Sequence, residues 1–342
     1  MDNNAVFILN EYRALRAQER RDYVAAVDHS WTAAKAASQH DDAWGFCRMA
    51  FQAGQLQLNL GLLQEAVDTC RQLLESEAIK QYPEFESRTR VLLSRILQNE
   101  GQMQGALAVA RELSRMPSRE LSQDGRRSVQ HVLVASLAEE GDTEAAWVEA
   151  LNLVGMLEGV TSPRTIGMAY WTVSNVAFMS SRIDEALENQ RLAAEALSRL
   201  DDVNLWAQFN KAIAHMRLMA GLNGPETAEF VERAEVAFAV AGGGEIDLYE
   251  ILITRAWWEF ASGNAAKAEG LLRPLEKELA GPYPFLQARA LLVLARSLRA
   301  LGSHAEALEC ALQCERIFTG IGADVYASES RKLIDTVHET VS

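Results

Sequence analysis

Cysteine is scarce in this 342-residue chain: Cys47, Cys70, Cys310 and Cys314 are the whole set. No Cys-x-x-Cys occurs, which argues against a disulfide framework or a zinc-ribbon spacing. Cys310 and Cys314 lie one helical turn apart, but a metal pair would need further ligands and His304 is the only one nearby. They read as small residues of a packed helix, and no metal or cofactor is expected. Positive charge is short as well. Lys and Arg number 33 against 47 Asp and Glu, giving a net charge of −14 and a pI near 5.0. Phosphate contacts need a basic footprint, so direct binding of DNA or RNA is not expected. The N-terminus has no basic segment followed by an apolar one, so no signal peptide is expected. Long hydrophobic runs are missing too; even Ala290 to Leu301 is broken by Arg296 and Arg299, which argues against a membrane span. The expected location is the cytoplasm. Catalytic signatures are also lacking. There is no Gly-x-x-x-x-Gly-Lys, no His-Glu-x-x-His and no Gly-x-Ser-x-Gly, and Gly242-Gly243-Gly244 follows no strand pattern. An enzyme is not expected.

What the sequence does have is a period. Gly61-Leu62-Leu63-Gln64-Glu65-Ala66-Val67 returns in shape as Gly101 to Leu107, Gly141 to Trp147 and Ser181 to Leu187. These lead residues step evenly by 40, and weaker copies begin at Gly221, Gly263 and Gly302. A fixed period in this range signals a repeat array. Each unit reads as two helices joined by a turn whose Gly takes a left-handed conformation. The second helix of each pair carries an alanine: Ala26, Ala66, Ala106, Ala146, Ala186, Ala228, Ala268 and Ala307. The first helix carries a small residue at Ala14, Gly54, Ser94, Ser174, Ala214, Ala256 and Ala295, with Val134 the exception. Two close-approach positions at fixed spacing predict an antiparallel helix pair that must stack on neighbours to bury its apolar side. The breakers fall between repeats: Asp41-Asp42, Tyr82-Pro83, Met116-Pro117, Thr161-Ser162-Pro163, Asp201-Asp202, Gly242-Gly243-Gly244 and Gly281-Pro282-Tyr283-Pro284. The Asp pairs are expected to cap helices, and the triple glycine to form a long turn or a hinge.

The small residue of the first helix, the Gly turn and the Ala of the second resemble the tetratricopeptide repeat pattern. The period is longer than the family's usual 34 residues, and its Trp, Tyr and Pro signature positions are mostly absent. The resemblance implies an all-α, right-handed superhelical solenoid of about eight helix-turn-helix repeats forming a single domain over 1–342. The repeats fall near 3–40, 43–80, 84–120, 125–160, 164–201, 203–241, 246–281 and 284–320, with a capping helix at 324–341. The long period and the stretch Ile317 to Ala323 are also similar to repeat domains of bacterial helix-turn-helix transcriptional regulators.

In the resembled family the first helix of each pair lines the concave groove where ligands lie. Projecting those helices by their 3.6-residue period places Arg48, Phe51, Arg88, Arg289, Arg296 and Arg299 there. On the same face the expected ligand-binding residues are Arg95, Asn99, His131, Trp171, Asn175, Lys211, His215 and Trp257. The basic residues of this face face only Glu11, Glu19, Glu139 and Glu250. A positive excess on a negative protein suits an acidic peptide or a free C-terminal carboxylate, which Arg grips bidentately. Central amides and aromatic rings suit a peptide's backbone and apolar side chains. The expectation is a non-enzymatic scaffold that binds a peptide or protein segment across repeats three to six. Arg95 and Lys211 would hold negative groups, Asn175 the backbone and Trp171 an apolar side chain. His215 would add a charge-assisted bond below an ordinary pKa near 6.5. The alternative is the effector- or peptide-sensing domain of a transcriptional regulator lacking its DNA-binding domain. Homo-oligomerisation is compatible with either.

Overall fold

The structure is a computed structural model. It describes the chain except residues 1, 21, 118–120, 199–201, 243, 282 and 342, together with the side chains of residues 103, 139, 325 and 339–341. Asp201, Gly243 of the glycine triplet, Pro282 and the Glu139 side chain therefore lie outside the described residues. Among the described residues there is no strand. The chain forms two compact units, residues 1–133 and 134–342.

The first unit holds α1 (Asn3–Glu19) against α2 (Tyr23–Gln39), α3 (Ala43–Asn59) against α4 (Leu63–Glu75), and α5 (Pro83–Asn99) against α6 (Met103–Ser114). Residues up to 133 of α7 (Gln123–Glu140) complete it. Pairs stack through α2 on α3 and α4 on α5, and the first helices α3 and α5 also touch. The second unit continues with α8 (Thr143–Gly155), α9 (Pro163–Met179), α10 (Ile183–Leu197), α11 (Val203–Met219) and α12 (Pro225–Ala241). After these come α13 (Glu245–Ala261), α14 (Ala265–Leu272), α15 (Leu275–Glu278), α16 (Pro284–Ala300), α17 (His304–Gly320) and α18 (Asp324–Val341). Here α9, α11, α13 and α16 form a continuous layer of first helices, each touching the next. α18 packs on α17.

The repeat signature is the packing rule. All the small residues of the first helices are buried, Val134 included, and Ala26, Ala66, Ala106, Ala146, Ala186, Ala268 and Ala307 are at most 1% exposed. Where the first-helix residue is serine it does more than leave room. Ser94 Oγ donates to the Ala106 carbonyl at 3.2 Å and Ser174 Oγ to the Ala186 carbonyl at 2.9 Å. Each bond ties the two helices at their closest point. Repeat six departs from the pattern. Ala228 is only half-buried; Thr227, one residue earlier, is fully buried and accepts from Arg217 Nε at 2.9 Å. Repeat seven departs too, because Pro274 lacks an N–H and its second helix breaks into α14 and α15.

The turns follow the same logic. Gly61, Gly101, Gly141, Gly221, Gly263 and Gly302 all have φ between 75° and 96°, the left-handed region that a Cβ disfavours. Ser181 holds the equivalent place at φ 58°. Asp42 and Asp202 cap helices as expected, accepting from Gly45 N and Leu205 N at 2.9 Å each. Asp41 instead takes the left-handed turn position at φ 60°.

Candidate functional site

The expected site residues divide between the units. Arg95, Asn99 and His131 belong to the first; Trp171, Asn175, Lys211, His215 and Trp257 belong to the second.

In the first unit, α5 presents Arg88, Arg95 and Asn99 at helical spacing, all exposed. Arg88 lies over the rings of Phe51 on α3 and Phe85, 4.7 and 5.2 Å from their centroids. Arg95 has no ion pair or hydrogen bond among the described residues, although the protein mass crowding it lowers its pKa. Arg48 on α3 is different: it pairs with Glu11 on α1 at 2.5 Å. Burial pushes the His131 imidazole on α7 down to about 4, so it is neutral at pH 7. This unit thus offers two guanidinium groups, two turns apart on one helix, with no carboxylate paired to them among the described residues.

In the second unit Lys211, Arg289 and Arg296 are already paired within the fold, whereas half-buried Arg299 on α16 has no ion pair or side-chain hydrogen bond among the described residues. Lys211 on α11 is 9% exposed and pairs with Asp247 and Glu250 on α13. Burial alone would lower its pKa, but the two carboxylates outweigh burial and raise it. Gln208 donates to the same Asp247, and Glu250 also pairs with Arg289 on α16 at 3.5 Å. Arg289 in turn donates to His215 Nδ1 at 2.8 Å. A guanidinium can only donate, so Nδ1 accepts and the ring proton of neutral His215 sits on Nε2. Burial first, then the charges of Arg289 and Lys211, drives the His215 pKa well below 6.5. His215 is therefore neutral near pH 7, and its Nδ1 is already occupied by Arg289. Trp257 stands between His215, 5.2 Å away edge-on, and Arg296, 5.5 Å over its ring. Arg296 reaches Glu329 on α18 at 3.5 Å.

Trp171 and Asn175 lie one turn apart on α9. Trp171 packs edge-on against Phe209 of α11 at 5.6 Å, in a core cluster with Phe230 and Phe238. Its Nε1 donor and the Oδ1 acceptor of Asn175 are both buried without a hydrogen-bond partner. Orphaned polar atoms of this kind are costly, and a partner that completes them gains what the fold forgoes.

The carboxylates Asp247 and Glu329 were not among the expected site residues, nor was Trp44, 49% exposed and set edge-on to Tyr82 and Phe85 at 5.2 and 4.8 Å. The ion pairs did have a signal. Lys211 and Glu250, Glu250 and Arg289, and Gln208 and Asp247 are each 39 residues apart. Residues one period apart occupy the same position on neighbouring first helices, so opposite charges at that interval meet. Among the described residues no three His, Cys, Asp or Glu side chains are grouped to hold a metal ion. Burial raises the thiols of Cys310 and Cys314 to about 11 and about 12, and Cys314 donates to the Ala288 carbonyl at 3.2 Å. Among the described residues no helix is long and apolar enough to cross a membrane.

No protein-family model matches the sequence, and no curated protein matches it. Solved structures do. A tetratricopeptide repeat protein from Parabacteroides merdae aligns with a TM-score of 0.54 at 13% identity, over 86% of this chain and 99% of its own. A Rap protein complexed with competence and sporulation factor aligns with a TM-score of 0.52 at 12% identity, over 88% of this chain and 76% of its own. Paired helices, left-handed glycine turns and these likenesses agree on one conclusion: the chain has the fold of tetratricopeptide repeat proteins.

Proposed function

We propose that the protein is a non-enzymatic interaction scaffold whose first-helix faces bind a peptide or protein segment bearing acidic side chains or a free C-terminal carboxylate. One observation carries this reading. In a chain with 47 carboxylates, Arg95 stands exposed on α5 with none paired to it among the described residues. Arg88 on the same face has aromatic rings rather than an anion beside it. An exposed guanidinium that the fold leaves unpaired gains from a carboxylate that completes it. In the second unit, Trp171 Nε1 and Asn175 Oδ1 supply a donor and an acceptor for a peptide carbonyl and N–H. Both atoms lie under the surface, so engaging a peptide there requires the indole and amide to turn outward. Lys211 is not part of this reading, because its charge is satisfied within the fold.

The test is selection from a displayed random-peptide library, with free and blocked C-termini, on the immobilised full chain. The reading expects recovered sequences rich in Asp and Glu or dependent on a free carboxylate. Recovery of basic sequences, or none that compete with an acidic peptide, would contradict it.

A further inference from the structure

The first helix is apolar on two opposite sides. One side packs inward through Phe7, Ala14 and Ala17. The other, which an ordinary surface helix fills with polar groups, carries Ile8, Tyr12 and Leu15, exposed by 58%, 53% and 52%. Their spacing of four and three residues makes one stripe along α1, the seam on which helices pair. The ends of the helix carry opposite, unused charges. Asp2 is the N-cap of α1 but makes no side-chain capping bond. Arg20, at the other end on the same flank, has no ion pair or hydrogen bond from its side chain among the described residues. They are separated by about 27 Å of helix at 1.5 Å per residue.

We propose that this face of α1 pairs with the same face of a second copy of the chain, antiparallel, about a two-fold axis near residues 11 and 12. A two-fold contact requires a patch complementary to itself, and this one is. In the antiparallel register Ile8 meets Leu15 of the second copy, the Tyr12 rings approach at the axis, each flanked by the Arg16 guanidinium that lies 5.2 Å over it and pairs with Glu19, and Asp2 comes within a turn of Arg20 of the second copy. Glu11 would approach its own copy, but Arg48 already neutralises it. The helix dipoles also oppose favourably. A single helix pair covers less than the roughly 1,200 Å² that stable complexes bury, so the dimer is weak and depends on concentration.

Sedimentation velocity of the full chain over about three decades of concentration around micromolar tests this. The expected result is a monomer–dimer equilibrium that Leu15→Glu abolishes without lowering the melting temperature, since Leu15 is on the solvent side. Asp2→Lys and Arg20→Glu should each weaken the dimer several-fold, and the two together should restore it. A wild-type chain that stays monomeric throughout overturns the proposal, as does a dimer indifferent to Leu15→Glu. A double charge variant weaker than either single overturns the antiparallel register.

Discussion

At the scale of single residues, burial decides which charges are available. Lys211 looked like a ligand-binding cation from its place on a first helix, but it is held by Asp247 and Glu250 and is 9% exposed. Removing one partner of such a group leaves the others uncompensated, at about 3–5 kcal/mol when fully buried. Here the carboxylates are a quarter exposed, so Lys211→Met should cost about 2–3 kcal/mol, checked by urea unfolding. Adding Glu250→Gln should recover part of that loss. Two histidines weaken the fold in acid. His131 has its pKa pushed down to about 4. As pH falls through 6.5 the unfolded chain takes up a proton there that the folded chain refuses. Its contribution is therefore complete above pH 6.5 and lost progressively toward pH 4. By pH 5 the loss is up to roughly 2 kcal/mol, and His215 acts in the same direction. His131→Gln should narrow the difference in unfolding free energy between pH 7 and pH 5; an unchanged difference would refute the assignment.

At the scale of elements, the helix pair was legible because its determinants are local. A Gly turn and two small residues at fixed spacing specify how two adjacent helices meet, and Ser94 and Ser174 strengthen that contact by bonding across it. Ser181 tests the turn rule. It alone among the repeat-initiating residues from 61 to 302 carries a Cβ in the left-handed region, at φ 58°. The conformation costs an L-residue about 1–2 kcal/mol, partly offset by the greater freedom glycine would have in the unfolded chain. Ser181→Gly should stabilise by about 0.5–1 kcal/mol, read as a rise in melting temperature, whereas Gly141→Ser should do the reverse. The site was less legible than the pair. The helical period gave the face on which Arg95 and Lys211 project, but it could not say which of them meets a carboxylate one repeat away. That depends on how neighbouring first helices align. The shift from Ala228 to Thr227 in repeat six shows that a single residue of slippage changes what is buried.

At the scale of the molecule, the account rests on a division of labour. Most arginines of the repeats serve the fold: Arg217 bonds Thr227, Gln190 and Glu226, and Arg289 links Glu250 to His215. Arg95 serves no such purpose. It is exposed and unpartnered among the described residues, and it is the residue on which the peptide reading depends. The most direct measurement is calorimetric titration of a library-selected acidic peptide into the wild-type chain and into Arg95→Ala, with melting temperatures recorded for both. Loss of a charged hydrogen bond is worth about 1.5–3 kcal/mol, so affinity should fall by roughly ten- to a hundred-fold while the melting temperature holds. Equal affinity in the two proteins, or a loss of affinity that tracks a loss of stability, would contradict the account.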